Sequence, residues 1–211
     1  MIVNVYVDGF NLYYGSLKGT PYRWLDLRRL SGRLLSNDTI QRVRYFTAFI
    51  SARPGDPVND PGRRQRQQTY LRALRTIPNL SIHTGHYLSS TKRRPLAHPP
   101  QHGPRIVEVL DSQEKGSDVN LASYLLLDAF DRDCEAMAII SNDSDLRFPV
   151  EIVRTRFGLP AGIFNPQANA SRTLRATASF YRQIHPADLR ASQLPAVLAD
   201  VHGTIRKPAG W

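Results

Sequence analysis

Two short segments of the chain place carboxylates directly after apolar runs. Residues 141–145 read Ser-Asn-Asp-Ser-Asp and follow the apolar run 136–140, while residues 8–11 read Asp-Gly-Phe-Asn and follow the apolar run 2–7. Such short apolar runs are typical of buried strands, and the carboxyl ends of parallel strands meet at the edge where α/β folds bind ligands. Clustered carboxylates repel one another unless they share a proton or a divalent cation. The two segments therefore predict an acidic site at one edge of a sheet.

Four aspartates are the candidates for this site: Asp8, Asp118, Asp143 and Asp145. Asp118 opens the helix predicted just before strand 136–140, and Glu114 precedes it by four residues. Oxygen ligands suit Mg²⁺ or Mn²⁺, which can activate water and neutralise phosphate charge. Each aspartate alone is equally well explained as a helix cap or turn residue. Their convergence requires strands 2–7 and 136–140 to be neighbours, which is an assumption at this point.

Strands and helices alternate along the chain, which predicts the elements that must position these residues. The predicted strands are 2–7, 40–50, 80–88, 105–110, 136–140, 161–164 and 180–184. The predicted helices are 11–18, 26–35, 63–77, 117–130, 146–157 and 171–177, and the proline-rich segments 51–62 and 89–104 are predicted to be loops. Apolar strands that alternate with helices favour a mostly parallel sheet with helices on both faces, a three-layer α/β/α sandwich.

The chain reads as one domain over residues 1–185 followed by a short tail, residues 186–211. The tail contains too few apolar residues for a second core. We expect it to dock on the domain or to mediate a homodimer.

Positive charge is concentrated near the predicted loops. The chain carries a formal charge of +10 and a pI near 10.2, which favours a polyanionic partner. Two basic clusters are candidates for binding nucleic-acid phosphates: Arg63, Arg64 and Arg66, and Lys92, Arg93 and Arg94, with Arg53 and Arg105 at the loop edges. Asn11 and Asn142 add neutral polar groups near the acidic site.

Several other sites are disfavoured. The single cysteine, Cys134, excludes an intrachain disulfide and a cysteine-based zinc site, and no phosphate-binding glycine-rich loop is present. His83 and His86, three apart on a predicted strand, point to opposite faces. No stretch is long and apolar enough for a signal peptide or a membrane span, so we expect a cytoplasmic protein. Asp128 and Asp131 are interpreted as surface ion-pairing residues without a catalytic role.

Three segments together resemble the signature blocks of NYN domains, which belong to the PIN-like nuclease superfamily. They are residues 8–11 (Asp-Gly-Phe-Asn), 114–122 (Glu-Lys-Gly-Ser-Asp-Val-Asn-Leu-Ala) and 140–146 (Ile-Ser-Asn-Asp-Ser-Asp-Leu). Within that family the chain most resembles the LabA-like bacterial branch. The resemblance extends through residues 158–166 and so spans nearly the whole chain. Asn142 departs from the pattern, since many relatives carry glycine there.

This resemblance implies a PIN-like (Rossmannoid) fold and a Mg²⁺- or Mn²⁺-dependent ribonuclease. It assigns metal binding and catalysis to Asp8, Asp118, Asp143 and Asp145, with Asn11 as a polar accessory. RNA is then the expected partner. Two alternatives stay open: a noncatalytic nucleic-acid-binding regulatory protein with the same fold, and an enzyme that uses the acidic cleft on a small phosphorylated or heteroaromatic substrate.

Overall fold

A computed structural model describes residues 1–50, 60 and 62–211. The other positions of the predicted loop 51–62, including Arg53, lie outside the described residues. Within the described part, one sheet contains β1 Ile2–Asp8, β2 Thr39–Ala48, β3 Leu80–Pro95, β4 Ile106–Lys115, β5 Ala136–Ile140, β6 Ala161–Asn165 and β7 Tyr181–Gln183. Their order across the sheet is β4-β3-β2-β1-β5-β6-β7. Only β4 pairs antiparallel with its neighbour.

Helices cover both faces of this sheet. They are α1 Gly9–Leu12, which continues as a π-helix over Tyr13–Leu17, α2 Leu27–Leu34, α3 Arg63–Leu74, α4 Ser117–Phe130, α5 Arg147–Thr155, α6 Arg172–Thr177 and α7 Pro186–Ala191. Along β1, Val3, Val5 and Val7 pack into one buried cluster with α2 and α3, while Tyr6 packs into a second cluster with α4 and α5. The strand is buried on both faces, which explains its unalternating apolar sequence. The predicted α/β/α sandwich is therefore confirmed.

The strands that carry the acidic segments are neighbours at the centre of the sheet. β1 pairs parallel with β5, and Val7 lies opposite Ile140. On the other side β1 pairs parallel with β2, and Asp8 lies opposite Phe46. Asp8 and Ser141 therefore leave adjacent strands at the same edge, so the assumption made from the sequence is correct.

The predicted loop 89–104 is wrong over its first seven residues. β3 continues to Pro95 and forms a regular antiparallel hairpin with β4, from the pair His86–Lys115 to the pair Pro95–Ile106. We call this hairpin, residues 86–95 and 106–115, the β3–β4 arm. Its side chains are exposed or half-buried, and residues 89–95 are polar or charged apart from Pro95, so this part of β3 lacks the apolar pattern from which strands are predicted. Backbone pairing rather than burial defines this part of β3.

The interpretation of Asp128 as a surface ion-pairing residue is also wrong, because Asp128 is buried. Its carboxylate accepts hydrogen bonds from Arg44 Nε at 2.8 Å and Nη2 at 2.7 Å, and from the Tyr6 hydroxyl at 2.6 Å. Arg44 comes from β2 and Tyr6 from β1, so the contact fixes α4 against two central strands. Its position on the sheet-facing side of α4 explains why a charged residue is buried here: both strands supply donors to it. Asp131, at the helix end, is exposed as predicted.

The C-terminal residues contribute to the same core as α2 and α3. Leu189, Leu194 and Ile205 are buried with Trp24, whose indole Nε1 donates to the Pro195 carbonyl at 2.8 Å. A small hairpin, β8 Val197–Asp200 with β9 Gly203–Arg206, follows and was not predicted. The boundary at residue 185 and a role for this segment in a homodimer stay predictions. None of the described helices has the length and apolarity needed to cross a bilayer.

Candidate active site

Asp8 is the most buried carboxylate at the acidic edge of the sheet. It ends β1 and caps α1, with Oδ1 accepting from the Asn11 backbone N–H at 2.9 Å. Its other oxygen, Oδ2, accepts from the Ser141 hydroxyl at 2.9 Å. Only 5% of Asp8 is exposed to solvent. Asp8 thus caps the helix through Oδ1 and contacts the second acidic segment through Oδ2.

Ser141 connects the two acidic segments. It follows β5 directly and is fully buried. Its Oγ donates to Asp8 and accepts from the Asp143 backbone N–H at 3.1 Å. Asp143 in turn caps the 3₁₀ turn Ser144–Leu146, and its Oδ1 accepts from the Asp145 backbone N–H at 3.0 Å. One hydroxyl therefore holds the strand ends of β1 and β5 together.

Asp118 and Glu114 approach the same edge from the base of the β3–β4 arm. The chain turns at Gly116, whose φ of +101° is a conformation that favours glycine. Glu114 then accepts from the Ser117 backbone N–H at 3.0 Å and from its hydroxyl at 2.8 Å. Gly85 on β3 lies against this carboxylate, and a side chain at that position would collide with it. Asp118 stands in the first turn of α4.

The electrostatics show that these carboxylates face one another. Burial and, to a smaller extent, the charges of Asp118 and Asp143 raise the pKa of Asp8 to about 6, against two hydrogen bonds that lower it. Partial loss of solvent raises the pKa of Asp118, and the charges of Asp143, Glu114 and Asp145 act in the same direction. The structure thus brings all four predicted aspartates to one edge, with Glu114 as a fifth acid.

Asn11 presents a donor rather than an acceptor to this edge. Its Oδ1 already accepts from the Asn142 backbone N–H and from Gln167 Nε2, both at 3.1 Å. Among the described residues, we find no hydrogen bond made by its Nδ2. The amide N–H₂ of Asn11 is therefore the group available to a ligand, which suits a phosphate oxygen better than a cation.

Asn142 points away from the carboxylates. Its Oδ1 accepts from the Ser171 backbone N–H at 2.7 Å and from the Tyr181 hydroxyl at 2.6 Å, and its Nδ2 donates to the Asn169 carbonyl at 2.8 Å. The side chain fastens the segment after β6 onto the turn after β5. This departure from the family pattern leaves the acidic groups in place.

The two basic clusters divide into paired and unpaired cations. Arg66 pairs with Asp60, and both Lys92 and Arg94 pair with Asp111, at 2.6 and 3.3 Å. Arg63, Arg64 and Arg93 form no ion pair with any described residue. The three cations of the second cluster lie on a strand, not in the predicted loop.

Position along the arm also separates Arg93 from its neighbours. Lys92 and Arg94 share the strand face that carries Asp111. Since successive side chains alternate between faces, Arg93 lies on the other face, together with Tyr87 and its partner Glu114. Arg93 is therefore the arm cation that shares a face with the acidic site.

Several side-chain contacts around the site could not be predicted from the sequence. Ser141 lies inside the Ser-Asn-Asp-Ser-Asp segment, so the motif contained the signal without revealing which atom it would contact. Gln167 was not expected, because its contact with Asn11 joins residues 156 apart in the chain. Phe10 packs edge-on against Tyr87, with ring centroids 6.3 Å apart, and this contact ties the arm to the strand end at Asp8.

The donor set fits a hard divalent cation. Among the described residues, no three His, Cys, Asp or Glu side chains form a ready-made metal cage. Mg²⁺ seldom needs one, since it usually binds through one or two carboxylates together with waters and substrate phosphates. Burial first, and then the neighbouring negative charges, raise the pKa of Asp8 and Asp118, and a cation at this edge would offset the cost of ionising both groups. Asp8, Asp118, Asp143 and Asp145 are the residues that would hold it.

A cavity of about 330 Å³ lies beside the acidic edge. Its walls include Gly9 and Phe10, which follow Asp8 directly, and it continues to the first turn of α3 and to Trp211. A more open depression of about 490 Å³ lies elsewhere, beside Asp26 and Pro195. The described residues that line either cavity include none of the four site aspartates.

Comparison with known proteins places the chain in a family. The NYN domain family matches residues 2–184. The chain is 30% identical to 6-hydroxy-3-succinoylpyridine 3-monooxygenase HspA of Pseudomonas putida, in an alignment that covers 98% of this chain and 74% of that protein. A crystal structure of a protein of unknown function from Vibrio parahaemolyticus superposes with a TM-score of 0.52 at 17% identity, covering 92% of this chain and 96% of the other. The last similarity concerns the fold alone.

Proposed function

The chain belongs to the NYN domain family, and from this premise we propose that it is a divalent-cation-dependent ribonuclease that hydrolyses phosphodiesters at the acidic edge of its sheet. Mg²⁺ or Mn²⁺ is the proposed cofactor and RNA the proposed substrate. The LabA-like branch is proposed on the three sequence blocks alone.

The buried Asp8 carboxylate is the observation that carries this proposal. At neutral pH a carboxyl group with a pKa of about 6, faced by Asp118 and Asp143, costs stability, and groups with such raised pKa values are concentrated at functional sites. The cluster lies in a chain of formal charge +10, so negative charge is concentrated where the surrounding chain is basic. An acidic centre with basic surroundings suits a substrate that is a polyanion and a reaction at one of its phosphates.

The residues of the site have separable tasks. A divalent cation bound there supplies charge neutralisation and makes water more acidic. Ser141 and the Asn11 backbone N–H fix both oxygens of Asp8, so that this carboxylate is held before substrate arrives. The free amide N–H₂ of Asn11 donates to a phosphate oxygen. Arg63 and Arg93, which have no described ion-pair partners, hold phosphates on either side of the cut.

A cleavage assay tests the proposal. The purified chain is incubated with a 5′-labelled single-stranded RNA and Mn²⁺, beside the Asp143→Asn variant and beside the wild type in excess chelator. We expect wild-type cleavage that falls at least about 100-fold in the variant, as for loss of a group that stabilises transition-state charge, and that stops with chelator. Equal cleavage by wild type and variant would mean another site or a contaminant. RNA binding without cleavage at any cation concentration would favour the noncatalytic alternative.

One observation favours a second candidate, an enzyme acting on a small heteroaromatic substrate. The monooxygenase HspA is named for a substituted pyridine substrate and aligns over nearly the whole of this chain. The cavity beside Asp8 has a volume in the range of small-molecule pockets, roughly 300–1,000 Å³, and is lined by aromatic side chains. Consumption of a hydroxypyridine by the purified chain when O₂ and a two-electron reductant are supplied, together with no cleavage of RNA, would establish this candidate instead.

A further inference from the structure

The cavity beside the acidic edge combines aromatic walls with excess positive charge. Aromatic side chains reach it from separate parts of the chain: Phe10, Tyr13 and Tyr14 after β1, Tyr45 on β2, Tyr70 on α3, and Trp211. Among the described residues that line it, four are cationic and one is a carboxylate: Lys18, Arg23, Arg63, Arg66 and Asp60. Aromatic faces bind flat rings, and unpaired guanidinium groups bind phosphates or carboxylates.

Its cations are arranged around the rings. Lys18 Nζ lies 5.1 Å from the centroid of the Tyr14 ring, and the Arg23 guanidinium lies 5.7 Å from that of Trp211. Arg66 is partly neutralised by Asp60. Arg63 makes no ion pair with the described residues, so its charge is available to an anionic ligand.

The cavity and the acidic edge share a wall. Gly9 separates Asp8 from Phe10, and a side chain at Gly9 would lie 2.7 Å from the Tyr45 ring and 2.6 Å from the Phe46 carbonyl. The Tyr45 ring therefore packs directly against the residue that follows Asp8. Burial raises the pKa of Tyr45 to about 12, and the negative charge of Asp8 acts in the same direction. A ligand in the cavity would therefore lie against the residues that directly follow Asp8.

We propose that this cavity binds one planar heterocycle with an attached anionic group, and that its occupant is a single nucleotide of the RNA next to the phosphate that is cut. The proposal rests on the proposed function. A volume of about 330 Å³ lies at the small end of ligand pockets, which suits one base and excludes a duplex. The base stacks on the rings, and its phosphate reaches Arg63.

Titration of the full chain with adenosine monophosphate in the presence of chelator tests the site without activity. Adenosine supplies the ring without the charge, ribose 5-phosphate the charge without the ring, and nicotinate a free heteroaromatic acid. Tyr14→Leu removes a half-exposed ring, and Arg63→Gln removes a charge that has no ion-pair partner among the described residues. Arg75→Gln is the matched control, because Arg75 lies exposed at the far end of α3 and does not line the cavity.

We expect adenosine monophosphate to bind at least about 10-fold more tightly than adenosine or ribose 5-phosphate. Tyr14→Leu and Arg63→Gln should each weaken it about 10-fold, a value within the range for loss of one base stack, and Arg75→Gln should leave it unchanged. In RNA cleavage, Tyr14→Leu should raise KM with little change in kcat.

Other outcomes overturn the proposal in distinguishable ways. If no ring compound binds, or if the variants bind equally well, the cavity is not this site, even where RNA is cleaved normally. If nicotinate binds at least about 10-fold more tightly than adenosine monophosphate and Tyr14→Leu leaves KM for RNA unchanged, the occupant is a free heteroaromatic acid and not a nucleotide. If RNA is never cleaved but adenosine monophosphate binds as expected, the proposed function fails while the binding site remains.

Discussion

Ser141 and Asp8, 133 residues apart in the chain, are joined by a buried hydrogen bond of 2.9 Å between the serine hydroxyl and the carboxylate. The same hydroxyl accepts from the backbone N–H of Asp143. One side-chain oxygen, Ser141 Oγ, therefore joins residues at the ends of both β1 and β5 by hydrogen bonds. Both contacts of the Ser141 hydroxyl are hydrogen bonds that orient other groups, so we regard Ser141 as a positioning residue.

Ser141→Ala should lower activity and shift its pH dependence. The hydrogen bond from Ser141 lowers the pKa of Asp8, so its loss should raise that pKa and move the acid limb of the cleavage profile to higher pH. We expect kcat to fall about 10-fold, as when an orienting contact is lost. The profile of kcat against pH checks this. A lower kcat with an unmoved acid limb would mean that Ser141 acts only through folding.

Asp8→Asn should inactivate the protein and stabilise its fold. The pKa of Asp8 is raised from 3.8 to about 6, so between these values the folded state binds more protons than the unfolded state. The free energy of unfolding of the wild type should then fall as pH rises through this window, by about 3 kcal/mol from this group. The variant has no titrating group at this position, so its free energy of unfolding should not fall over this window. It should therefore be more stable than the wild type at pH 7 and about equally stable at pH 4.

Urea unfolding of both proteins in chelator at pH 4, 5, 6 and 7 measures this difference. Chelator is needed because a bound cation would stabilise the ionised wild type. A variant that is less stable than the wild type at pH 7, or a difference that does not change with pH, would contradict the assigned environment of Asp8.

Asp128→Asn tests the buried contact that fixes α4 to the sheet. The change leaves the Arg44 guanidinium buried without a negative partner, which typically costs about 3–5 kcal/mol. For a chain of this size we expect Tm to fall by about 10 °C. Asp131→Asn, at an exposed position on the same helix end, is the matched control and should leave Tm unchanged. Equal Tm values for the two variants would show that the Arg44 pair contributes nothing to stability.

Arg93→Gln and Lys92→Gln should separate the two faces of the β3–β4 arm. Arg93 shares its face with Glu114 and has no described ion-pair partner, whereas Lys92 is already paired with Asp111. We expect Arg93→Gln to weaken RNA binding about 10-fold and to reduce the slope of log affinity against log salt by about one. Lys92→Gln should have a much smaller effect on both, because Lys92 lies on the other face of the arm, beside Asp111. Fluorescence anisotropy at several salt concentrations measures both. Equal effects would mean that RNA does not follow the face that carries Glu114.

The parts of the fold predicted correctly are those whose signal is local. Asp8 and Asp143 could be placed at strand ends because the apolar runs before them are buried on both faces, and parallel strands must end at the same edge. Residues 89–95 could not be predicted as a strand, since a hairpin that extends beyond the core is held by backbone pairing and needs no apolar pattern. Asp128 was misplaced for a related reason: its burial depends on Arg44 and Tyr6, donors on two other elements that the helix sequence does not reveal.

The site shows the same division. The positions of the four aspartates at strand ends and at a helix start could be predicted from the sequence. The hydrogen bonds that orient the side chains of the site could not. The orientation of Asn11 depends on Gln167, and that of Asn142 on Tyr181 and Ser171, contacts between distant segments. The sequence therefore predicted that the acids converge at one edge but not which groups orient them, and the role of the acids stays a prediction.

The most direct test of the acidic centre is calorimetric titration of the metal-free protein with Mn²⁺ at pH 7, without RNA. If the carboxylates at the ends of β1 and β5 and the start of α4 act together on a hard cation, the wild type should bind at least one Mn²⁺. The Asp118→Asn/Asp143→Asn double variant, folded and with an unchanged Tm in chelator, should then bind none in the same concentration range. Equal binding by the two proteins would contradict the account, because the cation would be held somewhere else.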